Sequence, residues 1–487
     1  MKLREVIKGL ETVKIRGETD TEILSITPDS RDVTGNAMFV AVRGVDRDGH
    51  EFIDDAVKRG AVAIISEKED LTVKTDNVTT VIVKDSRDAL AFMSSRFYGS
   101  PSESLTMIGI TGTNGKTTTS YLIREVIERW GKKTGLTGTI RNIVGDREID
   151  ADFTTPEPMK YQELLADMKR GGCEYVISEV SSHALAQKRV DHTTFARAVF
   201  TNLSRDHLDY HESMENYLES KKRLFADLLD GSGTAILNSD DICMPDIRND
   251  IKQRVITYGI ESDADVMARD IVQDFNGMSF TLISNGNERQ VTTRMIGRPN
   301  AYNILAAVAT SISLDVPMDV IIQAVSETDN VDGRFETVLS SKGVLFVIDY
   351  AHTPDALDKL LETVQSLPHQ KIITVFGCGG NRDRGKRPLM GQIASDKSDY
   401  VIVTSDNPRN EDPETIIQDI QAGMHGEYGA ITEREDAIRE AVSIAERGDV
   451  VVVAGKGHEN YQEIKGIRHP MSDKEIISRA IDEPERS

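Results

Sequence analysis

The stretch GITGTNGKTTTS, residues 109–120, constrains this chain more than any other. It continues the apolar run TMIGI, which reads as a buried strand, and it opens KTTTSYLIREVIERW, which reads as a helix. In a strand–turn–helix unit of this kind, glycines let the backbone turn its N–H groups inward. The helix N-terminus adds a field favourable to phosphate. Lys116 would reach the β- and γ-phosphates, and the Thr117 hydroxyl suits magnesium, a small hard cation that takes oxygen ligands. A glycine turn that merely capped a helix would explain neither residue. The nucleotide-binding set is therefore Gly112, Thr113, Asn114, Gly115, Lys116, Thr117 and Thr118. The spacing is unusual, because the strict phosphate-loop pattern needs a glycine where Ile110 stands, and the glycines fall instead at 109, 112 and 115.

At 487 residues the chain is too long for one core, and its motif density changes twice, near FYGSPSESL and near TDNVDGRFE. The expected architecture is α/β in three domains. Residues 1–98 form a small N-terminal α/β unit, 99–333 a central phosphate-loop domain with a mostly parallel sheet, and 334–487 a doubly wound, Rossmann-like C-terminal domain. The 58 basic and 80 acidic side chains leave a formal charge of -22, which repels nucleic acid and anionic membranes. An anionic ligand must then be held by a local group of cations or by a metal. The three cysteines form no CxxC pair, which argues against a disulfide framework or a thiolate metal site and fits the reduced cytoplasm. No run has the length and apolarity of a signal peptide or a membrane span.

Two further polar stretches, SEVSSHAL and TNLSRDHLDYH, follow predicted strands of the central domain and should emerge on the rim that carries the glycine loop. Glu179 and His207 are the candidate metal ligands there, with Asp206, Asp209 and His211 clustered beside His207. Adjacent phosphates and carboxylates favour magnesium or manganese over zinc. In the C-terminal domain the runs VLFVID, IITVFG, YVIVTS and VVVVAG are followed by YAHTPDA, CGGNRDRGKRP, DNPRNEDP and GKGHENYQ. Ligands of such sheets bind beyond the carboxyl ends of the strands. One rim would thus collect Asp349, His352, Arg382, Asp406, Arg409, His458 and Glu459. Any one of these alone would be a solvated loop residue, but four consecutive strand ends with this chemistry are far less expected by chance.

These motifs, with DSR near the start, TTPEP and GRPNAYNILAA, occur in an order in which the chain resembles the Mur ligases over its whole length. In that family the loop is Gly-x-x-Gly-x-x-Gly-Lys-Thr, which accounts for the spacing. The resemblance implies a ligase of peptidoglycan synthesis that uses ATP to phosphorylate a carboxylate, here the D-Glu γ-carboxylate of UDP-MurNAc-L-Ala-D-Glu. An incoming amine then displaces phosphate. It further implies catalytic roles for Lys116, His207 and Lys221, the last as a carbamate in YLESKKRLF, with Thr117, Glu179, His207 and carbamylated Lys221 holding two magnesium ions. From the residues alone, Lys221 to Arg223 would be a solvated basic helix face.

For the UDP-sugar peptide the resemblance implies Ser30, Thr154, Thr155, Ser181, Gln187 and Arg189. For the added amino acid it implies Arg382, Asp406, Asn407, Pro408, Arg409, Gly455 and Glu459. Members that use meso-diaminopimelate carry the arginine of DNPR, whose planar guanidinium suits the distal carboxylate and would repel lysine's ammonium. The alternatives are the same ligation with L-lysine, a folylpolyglutamate synthase-like ligase, and an ATP-gated binding switch. The expected partners are these small molecules, and the expected state is a monomer. Two positions depart from the family pattern: Phe153 stands where asparagine is common, and Asn381 where aspartate is usual.

Overall fold

The structure, a computed structural model, describes residues 1–44, 47–70 and 78–482. Its contacts divide the chain into two units, which are taken in turn. The first comprises Met1–Leu203, His207–Tyr258 and Ala306–Val316, and the second Ser204–Asp206, Gly259–Leu305 and Pro317–Ser487. The join at residues 98 and 99 lies inside the first unit.

The first unit contains two sheets. In the N-terminal sheet the strand order is Thr12–Arg16, Thr79–Val83, Ala61–Ser66, Ala37–Val40 and Ser25–Thr27, parallel except for the first pair. The larger sheet is built around Thr106–Thr111, the strand expected from TMIGI. Its neighbours are Phe195–Phe200 on one side and Tyr175–Glu179 on the other, both parallel to it. The chain thus leaves Tyr175–Glu179 on one side of the loop strand and returns as Phe195–Phe200 on the other. This reversal opens a crevice at the carboxyl ends of the three strands, the place where open α/β sheets bind ligands. Leu229–Asn238 and Arg254–Gly259 extend the parallel sheet on one side, and Thr134–Thr137 extends it on the other before the antiparallel strands Arg141–Val144 and Arg147–Asp150. Met107, Val176, Ala198 and Leu237 share one apolar cluster with Tyr161 and Leu165 of helix Pro158–Arg170 and Leu224 of helix Met214–Ala226.

The second unit contains an antiparallel meander, Val266–Asp274, Gly277–Ser284 and Asn287–Thr293, and a separate sheet of six strands. The order of that sheet is Glu336–Leu339, Leu345–Asp349, Val450–Ala454, Ile372–Phe376, Tyr400–Val403 and Tyr428–Ala430, and all but the first strand run parallel. Successive side chains of a strand point to opposite faces. Val450 and Val452 accordingly pack with Leu357 and Leu361 of helix Pro354–Gln365, while Val451 and Val453 pack with Ile438 of helix Arg434–Ile444 and Ile476 of helix Asp473–Asp482. Burial on both faces explains why these strands read as unbroken apolar runs. The doubly wound expectation holds. Among the described residues no helix is long and apolar enough to cross a membrane.

Gly109 has a packing role in the loop strand. A Cβ there would lie 2.8 Å from Phe195 Cδ1 and 3.0 Å from Leu224 Cδ1, in a fully buried cluster. We expect Gly109→Ala to destabilise the fold by about 1–3 kcal/mol, the usual cost of overpacking. Thermal unfolding would read this, and Phe195→Leu in the same chain should recover part of the loss.

Candidate active site

The loop takes its shape from glycines and from the neighbouring strand. Gly112 has φ 151° and Gly115 has φ 85°, and helix Lys116–Arg129 begins directly after the second. A side chain at Gly112 would place its Cβ 1.9 Å from Thr201 Oγ1. Thr201 and Asn202, at the end of Phe195–Phe200, clamp the loop from outside. Thr201 Oγ1 donates to the Asn114 carbonyl at 2.6 Å, Asn114 N–H donates to Asn202 Oδ1 at 3.0 Å, and Thr113 N–H donates to the Asn202 carbonyl at 2.8 Å. Sequence reading missed both residues, although FTNLS directly follows a predicted strand.

Two ammonium groups converge on one oxygen. Lys116 Nζ donates to the Gly112 carbonyl at 2.9 Å and to the Thr113 carbonyl at 2.8 Å, and Lys221 Nζ donates to the same Gly112 carbonyl at 2.9 Å. Lys221 is not on a solvated helix face, being 1% exposed, with Nζ 4.3 Å from the centroid of the Tyr217 ring. The Tyr217 hydroxyl lies 3.1 Å from Thr113 Oγ1. His207, in the left-handed region at φ 53°, meets the Tyr217 ring edge-on with centroids 6.1 Å apart, and the His211 ring lies tilted against it at 5.1 Å. His183, which sequence reading did not single out, lies 4.7 Å from the His207 ring. Burial, then the neighbouring His207 and His211, pull its pKa down to about 4, so it is neutral at physiological pH. Asp206 belongs to the second unit.

Glu179 ends Tyr175–Glu179 fully buried. Its carboxylate accepts from Thr117 Oγ1 at 2.9 Å, Thr139 N–H at 3.0 Å and Thr139 Oγ1 at 2.9 Å. Thr117 and Glu179 are therefore in direct contact. His207 and Lys221 meet at Tyr217. Among the described residues no three His, Cys, Asp or Glu side chains converge on one point, so a cation here would rely on hydroxyl and phosphate oxygens as well as carboxylate.

Five of the six residues expected to hold the sugar peptide form one network beside Glu179. Thr154 Oγ1 is 3.1 Å from Thr139 Oγ1, and Thr155 Oγ1 donates to the Glu179 carbonyl at 2.9 Å and accepts from Ser181 N–H at 3.0 Å. Arg189 donates to the Thr155 carbonyl at 3.1 Å, makes a fork on Gln187 Oε1 at 3.0 and 2.7 Å, and pairs with Glu157 at 2.9 Å. The Phe153 ring lies 5.3 Å from the Arg189 guanidinium. Ser30 stands apart, buried in the short helical turn Ser30–Asp32 after strand Ser25–Thr27 of the N-terminal sheet. Helix Ser86–Phe97, which follows that sheet's strand Thr79–Val83, is tied to the network's end, where Lys188 pairs with the capping Asp85 at 2.8 Å and His192 meets Asp88 at 3.1 Å.

The second unit brings its own rim together. Asn407 is the hub. Its Oδ1 accepts from Lys456 Nζ at 3.1 Å and Glu463 N–H at 2.9 Å, and its Nδ2 donates to Glu459 Oε2 at 2.8 Å. Lys456 is fully buried and also donates to Glu459 Oε2 at 2.9 Å. Sequence reading overlooked this lysine inside GKGHE. Asp406 Oδ1 accepts its neighbour's N–H at 2.6 Å, while its buried Oδ2 has no hydrogen-bond partner among the described residues. A side chain at Gly455 would place its Cβ 2.8 Å from that oxygen. Arg409, after Pro408, has φ 51° and its Nη1 donates to the Gly380 carbonyl at 2.9 Å. Its Nε lies 3.5 Å from the Glu463 carboxylate. Arg382 is exposed. Asp349, His352 and His458 gather instead near Tyr350: Asp349 accepts from Ala351 N–H at 2.8 Å, and the two histidine rings lie 4.7 and 5.3 Å from the tyrosine.

Three family models match the chain: the Mur ligase family, catalytic domain at residues 22–98, the Mur ligase middle domain at 110–311, and the Mur ligase, glutamate ligase domain at 333–457. The chain is similar to the UDP-N-acetylmuramoyl-L-alanyl-D-glutamate--2,6-diaminopimelate ligase of Alkaliphilus metalliredigens, with 44% identity over 95% of this chain and 94% of that protein. It is 42% identical to the protein of the same name from Clostridioides difficile, over 99% of both chains. A solved structure of a ligase of that name superposes with a TM-score of 0.71 at 33% identity, covering 99% of each chain. A Mycobacterium tuberculosis folylpolyglutamate synthase, solved with ADP and AMPPCP, shares the fold at 17% identity and a TM-score of 0.60, covering 76% of this chain and 92% of its own. By full-length similarity and by all three models, the chain belongs to the Mur ligase family of ATP-dependent amide-forming ligases.

Proposed function

We propose that this protein joins meso-2,6-diaminopimelate to the D-Glu γ-carboxylate of UDP-MurNAc-L-Ala-D-Glu at the expense of ATP, in peptidoglycan synthesis. The observation that carries the reading is the pair of lysines on the Gly112 carbonyl. Two cationic side chains gathered at a glycine-rich loop that opens a helix favour an anionic phosphate ligand there. ATP phosphates supply the anion. The residues at 112–118 bind it, Lys116 turning from the loop carbonyls to the β- and γ-phosphates as they arrive. The sugar peptide lies along Thr154, Thr155, Ser181, Gln187 and Arg189, with Ser30 of the N-terminal domain at its nucleotide end. The domain joins on this reading fall at 98/99 and 333/334.

In the first step a D-Glu carboxylate oxygen attacks the γ-phosphorus and ADP leaves, giving an acyl phosphate. In the second the diaminopimelate amine attacks the acyl carbon, and the tetrahedral intermediate collapses to amide and phosphate. Both steps crowd negative charge, so fixed cations contribute most of the stabilisation. The site's chemistry fits magnesium: Thr117, Glu179, His207 and Lys221 would hold it, and when bound it would neutralise phosphate charge. Lys221 fits a carbamate because the change replaces a buried cation beside Lys116 with an anion. His183, kept neutral, adds no competing charge beside His207.

For the amino acid, Arg409 and Arg382 take the distal carboxylate and Glu459 the distal ammonium, with the buried Asp406 Oδ2 a second acceptor. Asn407 holds Glu459 in place, since its side-chain oxygen already accepts two hydrogen bonds. The protein would act as a monomer in the cytoplasm.

The deciding experiment is ADP release across candidate amino acids with the UDP-dipeptide present, followed by a mass spectrum of the product. Release that needs both the dipeptide and diaminopimelate is expected; faster release with L-lysine, or release indifferent to both, would reject the reading. Arg409→Ala should lower kcat/KM for diaminopimelate about a hundredfold, the value of a lost charge-assisted pair, while nucleotide affinity stays. For Lys221, activity should fall when dissolved carbon dioxide is stripped and return with bicarbonate. Full activity without it would exclude the carbamate.

A further inference from the structure

The two arginines assigned to the amino acid sit on different loops, after the parallel neighbours Ile372–Phe376 and Tyr400–Val403. What fixes their spacing is a set of contacts between the loops. Gly380 N–H donates to the Asn407 carbonyl at 2.9 Å, and Arg409 Nη1 returns to the Gly380 carbonyl at 2.9 Å. Asn381 extends the join in both directions: its Oδ1 accepts from Asn410 N–H at 3.0 Å, and its own N–H donates to Glu411 Oε1 at 2.5 Å. Below them Arg387, fully buried, forks onto Glu411 at 2.9 and 3.0 Å and reaches Asp419 at 2.8 Å. These hydrogen bonds from Arg387, then that from Asn381, hold the Glu411 carboxyl below the usual carboxylate range.

Asparagine at 381 suits its place in this join. Asn381 has φ 53°, a left-handed conformation that asparagine adopts more readily than most residues. An aspartate would keep the acceptor for Asn410 but would bring a second carboxylate beside Glu411. The neutral amide closes the join without that repulsion.

We propose that Asn381 and Glu411 are positioning residues that set the distance between Arg382 and Arg409, and thereby select an amino acid whose far end carries a carboxylate. The proposal rests on the diaminopimelate reading above. Neither residue touches the substrate, and both act through the loops that carry the arginines.

The test uses the full chain with two mild variants. Glu411→Gln keeps shape and removes charge, whereas Asn381→Gly keeps the left-handed backbone and removes the acceptor. In each, KM for diaminopimelate should rise about tenfold, the scale of one lost supporting hydrogen bond to a charged group, with KM for ATP unchanged. The ratio of kcat/KM for diaminopimelate to that for L-lysine should fall by a similar factor. KM for diaminopimelate within about twofold of the unaltered protein in both variants would overturn the proposal. So would a parallel rise in KM for ATP accompanied by a lower thermal midpoint, the signature of a merely structural role. If the unaltered protein uses lysine and not diaminopimelate, the substrate reading and this selection fail together. If it uses diaminopimelate and the variants match it, only the positioning role fails.

Discussion

The arrangement on which the first unit depends is the shared acceptor at Gly112. A chain with net charge -22 places two lysine ammonium groups on one carbonyl oxygen, one of them almost wholly buried. Such a concentration of positive charge in an acidic protein requires rigid support. Thr201 and Asn202 hold the loop from the side, Tyr217 closes it from helix Met214–Ala226, and Gly112 lets the backbone pass where any side chain would collide. Glu179 balances the arrangement from the other neighbouring strand, and its carboxylate accepts from the Thr117 and Thr139 hydroxyls and from the Thr139 N–H.

The rim of the second unit follows a different electrostatic plan. Two of its charge pairs, Lys456 with Glu459 and Arg409 with Glu463, are joined through the Asn407 amide. Buried ions are tolerable when paired and hydrogen-bonded, and a pocket assembled from such pairs presents both signs at fixed places. An excess of one sign suits phosphate; balanced pairs suit a molecule that carries both. The two units thus build two different electrostatic settings from the same few residue types.

Most of this was legible in the chain itself, for identifiable reasons. Strands buried on both faces leave apolar runs, so TMIGI, VLFVID and VVVVAG marked their own positions, and the polar stretch after each marked a rim. The six residues expected to hold the sugar peptide and the seven expected to hold the amino acid came from motif resemblance, and within each group all but Ser30 and Arg382 are joined by hydrogen bonds or close packing in the structure. What could not be read was whatever depends on strand order. Thr201 and Asn202 matter because Phe195–Phe200 returns beside the loop strand, and Lys456 matters because Val450–Ala454 ends beside Asn407. The burial of Lys221 was equally invisible, because YLESKKRLF has the look of a solvated helix and only packing reveals the difference. The meander between Val266 and Thr293 was not foreseen, although GMSFTLIS alternates as a half-buried strand does.

The placement of Val450–Ala454 has a consequence for biosynthesis. This strand lies between Leu345–Asp349 and Ile372–Phe376, which precede it by many residues. While the ribosome is still making the intervening segment, those two strands have no common partner, and each presents an open edge able to pair with another nascent chain. The domain can close its sheet only when nearly all of its sequence has emerged, so the interval before that strand arrives is when the growing polypeptide most needs a chaperone.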